Sequence, residues 1–393
     1  MSLNLQSTWR ASAAIILLSL LAACGGGSSD SPRAPLPETS TGPAGQAANA
    51  SVDTFVQAEL KRQNIPGVAL LVRRNGVLVY SKGYGYADLD LATPATTEQR
   101  FEIGSISKQF TAAAVMLLVE EGRINLDANI GTYLGFVPAA WDAITVRHLL
   151  SHTSGLRRDY DGSLDPNSHG AYSTDQTLAI IKGYAPLTPP GAAYAYSNVG
   201  YQLAGVIVEK VSGAHYGELI QNRIFTPLGM TSARIIAGNN LAGNAMGYFM
   251  RDGSLTPLRK DQMSAGELSL HRGAFGGIEM SATDLAKWDA SQDTNAILRQ
   301  SSLDQMWTAN TTVQVGADYT VNYGLGWFLS DYRSHPKRYH SGGMYSFTTD
   351  YLHYTDDKLT VIVLTNLGTD WSDPERISRT VANLYVPGIV APQ

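Results

Sequence analysis

The chain has one cysteine, Cys24, in 393 residues. It forms no internal disulfide, so packing alone has to hold the fold. Long hydrophobic runs are missing too. The apolar stretch over residues 11–21 is too short to cross a bilayer as a helix. Charge of one sign is not in excess: 29 Lys and Arg face 34 Asp and Glu, a net charge of -5 with no basic stripe. That excludes an electrostatic nucleic-acid face. No internal repeat on the scale of roughly 20–50 residues is present, which excludes a solenoid or propeller. Two catalytic signatures are also absent. Without G-x-S-x-G there is no strand–turn–helix nucleophile elbow. Without H-E-x-x-H there is no helix-borne zinc pair with its own base.

The composition that remains, 44% hydrophobic and 16% charged, predicts a sizeable core in one large domain or two intimately packed ones. The 20 tyrosines suit clefts that need an apolar body with a polar tip. At the start, Arg10 precedes the apolar stretch, and small residues follow it. That is the order of an export signal. Leu21-Ala22-Ala23-Cys24 resembles the bacterial lipobox, in which cleavage leaves the cysteine as a lipidated N-terminus. The competing reading is a plain export signal with a chance thiol. The expectation is therefore a signal peptide over 1–23, a lipid on Cys24 and a flexible Gly/Ser/Pro/Ala tether over 24–50. The folded part, 51–390, would then face the periplasm from a membrane, the outer one, held there only by the lipid.

Within the folded part, residues 51–64 carry apolar positions at helical spacing after a serine. Residues 68–73 and 77–81 are β-rich runs around Asn75-Gly76, a hairpin signal. A helix is predicted over 105–121, ended by Gly122. Short helical pieces near 145–152, 174–183, 197–211 and 214–223 alternate with loops, and strand signals there are sparse. Residues 282–290 read as helix. Residues 323–329, 338–341, 346–354 and 359–366 read as successive antiparallel strands, and a helix near 374–384 closes the chain. Strands thus lie at both ends and helices between. The fold class expected is α/β of the α+β kind. Residues 51–122 and 271–390 would form an antiparallel sheet flanked by helices, with a mostly helical region over 123–270. A cleft between the two is where a ligand would bind.

Three constellations carry chemistry. Ser105 and Lys108 form S-x-x-K at a helix head, where residues three apart are neighbours and free N–H groups favour negative charge. Taken alone, Ser105 fits an N-cap serine at least as well. Ser334-His335-Pro336-Lys337 matches the same pattern, but it carries a proline and has no helix behind it. The second constellation, Tyr196-Ser197-Asn198, is the single Tyr-x-Asn in the chain and follows a rigid Pro-Pro-Gly loop. The third, His340-Ser341-Gly342-Gly343, ends a strand, where glycines admit a ligand backbone and an edge N–H can face an oxyanion. His148 and His152 lie four apart with no third metal ligand nearby, so they read as support for the helix end rather than as a metal site.

In this order the three constellations resemble the serine β-lactamase and penicillin-binding-protein superfamily, most closely the class C branch with its D,D-peptidase and esterase relatives. The stretches HLLSHTSGL (148–156), PLGM (227–230), GGIEMSATDLAKW (276–288) and YGLGW (323–327) resemble that branch too. The likeness covers about 55–370 and implies a two-region fold with the site between the regions. It implies Ser105 as the nucleophile of an acyl-enzyme, Lys108 as its activator and Tyr196 as general acid/base. Asn198 would hold Lys108 and a substrate carbonyl. His340, Ser341 and Gly342 would line the substrate strand, and the backbone N–H groups of Ser105 and Gly343 would form the oxyanion hole. Neither cofactor nor metal is implied. One departure matters: the third motif begins with His340, and no K-[ST]-G occurs anywhere. A neutral imidazole is a weaker anchor for the β-lactam carboxylate than lysine. The substrate ranking is therefore a carboxylic ester first, a D-amino-acid peptide or amide second and a β-lactam third. A non-turning-over penicillin sensor is a further alternative. Tyr160, Tyr172, Tyr194 and Tyr345 are candidates for pocket walls.

Overall fold

A computed structural model describes residues 43–160, 173–236, 243–260, 273–315 and 320–390. Cys24, the signal segment, most of the expected tether and Tyr172 lie outside these residues. The helices are α1 (Pro43–Gln63), α2 (Ser107–Glu120), α3 (Gly131–Leu134), α4 (Val146–Leu150), α5 (Thr174–Ile181), α6 (Asn198–Ser212), α7 (Tyr216–Ile220), α8 (Ala282–Thr294), α9 (Gln300–Met306) and α10 (Pro374–Tyr385). The strands are β1 (Gly67–Arg74), β2 (Val77–Asp88), β3 (Thr93–Pro94), β4 (Phe101–Glu102), β5 (Arg234–Ile235), β6 (Tyr248–Arg251), β7 (Ser254–Pro257), β8 (Ile278–Met280), β9 (Thr311–Gln314), β10 (Thr320–Tyr323), β11 (Phe328–Tyr332), β12 (His335–Gly343), β13 (Thr348–Tyr354) and β14 (Leu359–Thr365).

Among the described residues the main sheet has nine strands in the order β3-β2-β1-β14-β13-β12-β11-β10-β9. The two ends of the chain meet where β1 pairs antiparallel with β14, Val68 opposite Thr365 and Arg74 opposite Leu359. Strands β1, β13 and β14 are buried along their whole length. In most of β1 and β14 the residues are apolar on both sides because both faces are covered, whereas β13 buries Thr348, Thr349, Asp350 and His353 among its aromatic residues. Val68, Leu70 and Val72 pack with Val361 and Val363 into one core, beneath α1 and α10. Ala69, Leu71, Ile362 and Leu364 face the larger core, which also holds α2, α6 and α8. The Asn75-Gly76 turn has φ of +50° and +78°, the left-handed pair that a two-residue hairpin needs.

Some elements differ from the sequence reading, each for a local reason. α1 begins at Pro43, inside the segment expected to be tether. Its first turns are Ala- and Gly-rich and show no apolar period, although proline suits a first helical turn. The run expected as one strand over 323–329 is split. Gly326 adopts φ +84°, and the Gly324 N–H bonds the Trp327 carbonyl at 2.9 Å, so β10 stops at Tyr323 and β11 starts at Phe328. The helical middle contains the β6–β7 hairpin, and β5 pairs with β8. Helix α9 is too polar for periodicity to reveal it. The second S-x-x-K opens in the turn between β11 and β12, where Arg333 and Ser334 have positive φ, and runs on as strand.

Candidate active site

Ser105 lies in a short 3₁₀ turn, Gly104–Ile106, that leads directly into α2. No side chain caps either helical start. The capping role is thereby excluded, and the hydroxyl is used otherwise. Gly104 explains why the turn can sit where it does. Its φ is +53°, and a Cβ there would lie 2.8 Å from the Gly343 nitrogen and 3.0 Å from the Gly342 carbonyl carbon. Only glycine allows the nucleophile turn to press against the end of β12. Gly342 is equally constrained, since a Cβ would stand 1.9 Å from the Ile103 carbonyl oxygen. Behind the turn, every α2 residue from Ser107 to Leu118 is buried, which holds its head rigidly.

Lys108 is fully buried beneath Ser105. Its Nζ donates to Ser105 Oγ at 3.0 Å, to Asn198 Oδ1 at 2.8 Å and to the Phe275 carbonyl at 2.6 Å. The three bonds match the three hydrogens of an ammonium. Burial nevertheless pulls its pKa well below the usual lysine range, Asp159 opposes that, and Arg158 adds to it. Tyr196 donates its hydroxyl to the same Ser105 Oγ at 2.7 Å. Burial pushes this phenol above its ordinary pKa, against the Ser105 bond and Arg158, which pull it down. Amine and phenol are thus driven in opposite directions, and both are driven toward their neutral forms.

Asn198 begins α6 behind a Ser197 cap, whose hydroxyl accepts from Gly200 N–H. Its amide oxygen holds Lys108 as expected. Its amide nitrogen spends one of its two hydrogens on Asp159 Oδ1 at 2.6 Å, which leaves one for a substrate carbonyl. His340 is buried at the back of the site. Its Nδ1 bonds the Ser341 carbonyl at 2.6 Å, which leaves Nε2 to accept from the Tyr323 hydroxyl at 3.2 Å. Burial, reinforced by Lys108, takes its pKa down to about 3, so the ring is uncharged. Ser341 is turned away. It stands opposite Asp350 in the β12–β13 register, and Asp350 accepts a hydrogen bond from Ser378 of α10. The Ser341 side chain therefore lies on the α10 face beside Glu375, whose carboxyl burial pushes above the usual range while the Ser341 hydroxyl pulls it back. Ser105, Lys108, Tyr196 and Asn198 are joined in one hydrogen-bond network. Gly342 and Gly343 meet its turn through the backbone, and His340 contributes only a neutral wall.

Of the tyrosines expected as walls, Tyr194 packs on His152 and Tyr323, and Tyr160 lies against Phe275. Tyr345 joins a separate aromatic group with Phe249 and Trp371. The two histidines of HLLSHTSGL diverge in use. His148 Nδ1 takes the Thr145 N–H at 3.3 Å and His152 Nδ1 takes the Ser197 N–H at 3.0 Å. Among the described residues no cluster of three or more His, Cys, Asp or Glu could hold a metal. Sequence reasoning missed Asp159, the Phe275 carbonyl and Tyr323 as members of the site. Asp159 follows SHTSGLRR within a few residues, and Tyr323 opens YGLGW, so both stood beside stretches already marked.

Residues 52–384 match the family described as Beta-lactamase. Protein flp of Staphylococcus aureus (strain MRSA252) is 30% identical over 325 residues, 81% of this chain and 63% of that protein. The chain thus spans less than two thirds of that relative's length. Penicillin-binding protein 4* of Bacillus subtilis (strain 168) is 28% identical over 330 residues, 80% of this chain and 71% of that one. Among solved structures, the octameric penicillin-binding protein homologue from Pyrococcus abyssi superposes with a TM-score of 0.75 at 28% identity, covering 85% of this chain and 76% of its own. Two further structures share the fold at lower identity. EstCE1, a hydrolase with promiscuous acyltransferase activity, has a TM-score of 0.74 at 19% identity, over 87% of this chain and 99% of its own. The D-amino acid amidase from Ochrobactrum anthropi SV3 has a TM-score of 0.72 at 23% identity, over 87% of this chain and 98% of its own. With its family match running nearly the whole folded length, and with Ser105, Lys108, Tyr196 and Asn198 in one network, the chain belongs to the β-lactamase family.

Proposed function

We propose that the protein is a serine hydrolase that passes an acyl group through Ser105, and that its preferred substrates are carboxylic esters. The observation that carries this is the double engagement of Ser105 Oγ, 3.0 Å from Lys108 Nζ and 2.7 Å from the Tyr196 hydroxyl. A serine hydroxyl is a weak nucleophile until a neighbour takes its proton. Lys108, with its pKa lowered by burial, is suited to that task. Tyr196, with its pKa raised by burial, holds its proton until the leaving oxygen takes it, and the tyrosinate left behind is a strong base for the water step. In acylation Lys108 takes the Ser105 proton as Oγ attacks the carbonyl carbon. The C–O bond to the leaving group then breaks, and Tyr196 protonates the departing oxygen. In deacylation the tyrosinate takes a proton from water, the hydroxide attacks the acyl-enzyme, and Lys108 returns its proton to Ser105. The close approach of Gly104 to the Gly343 nitrogen supports an oxyanion hole formed by the backbone N–H groups of Ser105 and Gly343.

The ester preference rests on His340. Both ring nitrogens are engaged and the ring is neutral, so it offers no charge to a β-lactam or peptide carboxylate. The test is one panel run with wild type and Ser105→Ala: short p-nitrophenyl esters, a D-Ala-D-Ala peptide and a chromogenic cephalosporin. Esters should turn over fastest, and Ser105→Ala should be inactive. Activity that survives in Ser105→Ala refutes the mechanism. Faster turnover of the D-peptide or the cephalosporin refutes the substrate ranking alone. A burst of one equivalent without steady state makes the protein a sensor. For its location we infer export and a lipid anchor at Cys24, on the Leu21-Ala22-Ala23-Cys24 pattern.

A further inference from the structure

His152 is fully buried and carries a backbone φ of +59°. Histidine tolerates that conformation better than most residues, but it is uncommon and needs to be held. Here it is held against the loop that carries Tyr196. The His152 carbonyl accepts from Ala195 N–H at 2.7 Å, and its Nδ1 accepts from Ser197 N–H at 3.0 Å. The two bonds fall on either side of Tyr196. Between them, the imidazole lies 4.1 Å from the Tyr196 ring, centroid to centroid, with the planes 31° apart. The remaining surroundings are aromatic. Tyr323 is at 4.8 Å, Tyr201 at 5.0 Å and Tyr194 at 5.8 Å.

A nitrogen that accepts a peptide N–H carries no proton of its own, so the His152 proton sits on Nε2. That nitrogen is buried and has no hydrogen-bond partner. A buried donor left without an acceptor is costly, about 1–3 kcal/mol, and nothing in stability alone calls for a histidine here. What the ring supplies is a flat face for Tyr196 and an acceptor for Ser197 in one side chain. Tyr323 extends the support. Its ring packs on His152 while its hydroxyl bonds His340 of β12, so the tyrosine loop is braced from the sheet as well.

We infer that His152 is a positioning residue for Tyr196, fixing the phenol against Ser105 by clamping the peptide groups on both sides of it and backing its ring. The inference rests on the proposed role of Tyr196 in moving protons. The groups facing His152 are Lys108 of α2, Arg158 of its own loop, His340 of β12 and the four tyrosines. Burial, together with Lys108, His340 and Arg158, keeps its own pKa well below the usual range. The imidazole therefore works uncharged and transfers no proton itself.

Three replacements separate its two contributions. His152→Asn retains an oxygen that can take the Ser197 N–H but removes the ring. His152→Phe retains the ring and removes the acceptor. His152→Ala removes both. Steady-state hydrolysis of p-nitrophenyl acetate gives kcat and KM for each, beside Tyr196→Phe and the double variant Tyr196→Phe/His152→Ala. A displaced catalytic group can lose about 10²-fold, so His152→Ala should lower kcat by about that factor with KM within about threefold. His152→Asn and His152→Phe should each recover part of the loss. In the Tyr196→Phe background His152→Ala should cost less than about twofold more, because the group it positions is already gone. If His152→Ala does not fold, His152→Asn carries the same comparison. The inference is overturned if the loss multiplies in full on Tyr196→Phe, which is the mark of general damage. It is also overturned if folded His152 variants keep the wild-type kcat. Should Tyr196→Phe itself match wild type, the proposed proton relay fails first, and His152 then has nothing to position.

Discussion

Asp159→Asn is expected to make the enzyme more active in acid. The carboxylate reaches Lys108 through a single residue: Nζ donates to Asn198 Oδ1 at 2.8 Å, and Asn198 Nδ2 donates to Asp159 Oδ1 at 2.6 Å. With an amide about 2.2 Å wide between them, Nζ and Oδ1 are at most about 7.6 Å apart. At an effective dielectric near 20 such a pair is worth about 2 kcal/mol. Asp159 is 38% exposed and its other oxygen lies 3.3 Å from Arg158 Nε. Solvent and that ion pair reduce the effect to about 1 kcal/mol, a little under one pH unit. The sign follows from the base. Lys108 must be neutral to take the Ser105 proton, so kcat/KM rises as pH climbs through its pKa. The Asp159 charge favours the ammonium and raises that pKa. Removing it lowers the pKa, and the acid limb of the profile moves to lower pH. The introduced amide oxygen still accepts from Asn198, so the geometry survives. Arg158→Gln removes a charge of the opposite sign and should move the limb upward. The assay is initial-rate hydrolysis of p-nitrophenyl butyrate against pH at low salt. Both shifts should shrink in high salt, where exposed charges are screened. An upward move in Asp159→Asn, or the same direction in both variants, would refute Lys108 as the base.

Three other outcomes are expected. Gly342→Ala forces a methyl against the Ile103 carbonyl, 1.9 Å away, and overpacking of this kind costs about 1–3 kcal/mol. A lower urea midpoint together with a reduced kcat checks it, since Ile103 precedes the nucleophile turn. Asp289 is a fully buried carboxylate of α8, tied to His353 at 3.0 Å, Thr360 at 2.9 Å, Tyr351 at 2.5 Å and Arg73. Asp289→Ala removes the buried partner of Arg73 and leaves it the half-exposed Asp293 at 3.6 Å and the Gly76 carbonyl at 3.2 Å, so it should destabilise by about 3 kcal/mol, the low end for a broken buried pair, measured by chemical denaturation. Burial raises the Asp289 pKa, but His353, Arg73 and Tyr351 outweigh it and leave the group below the usual range. Its contribution to stability is therefore complete above the unfolded value of 3.8 and fades as pH falls below that, so wild type should lose more stability in acid than Asp289→Ala. Cys24→Ser should release the protein from membranes into the soluble fraction, and its retention on the membrane would refute the proposed lipid anchor.

What could be read from sequence was what local spacing controls. The Asn75-Gly76 turn, the apolar runs of β1 and β14 and the Ser105/Lys108 pair are fixed by residues within a few positions of one another. The split at Gly326 was not legible, because YGLGW continues a β-like pattern and only the backbone shows where it breaks. The partners of Lys108 were half legible. Asn198 belongs to a recognisable triplet, but the Phe275 carbonyl has no side-chain signature at all, since every residue carries one. Asp159 was invisible for another reason: a carboxylate in a loop is ordinary until the fold puts it on Asn198. Ser341 shows the opposite failure. A motif read as a unit assigned it to the cleft, whereas strand alternation sends neighbouring side chains to opposite faces, and β12 gives His340 to the site and Ser341 to α10. His340 itself was legible as a missing lysine, yet sequence could not say what its ring does. With both nitrogens engaged and its charge gone, it supplies no ionic handle. Beside Lys108, whose Nζ is 4.8 Å from the Tyr196 ring, charge near the tyrosine comes from the Arg158–Asp159 pair, with the Arg158 guanidinium 5.0 Å from that ring. Substrate charge should therefore be felt at that pair, on the helical side of the cleft, rather than at β12.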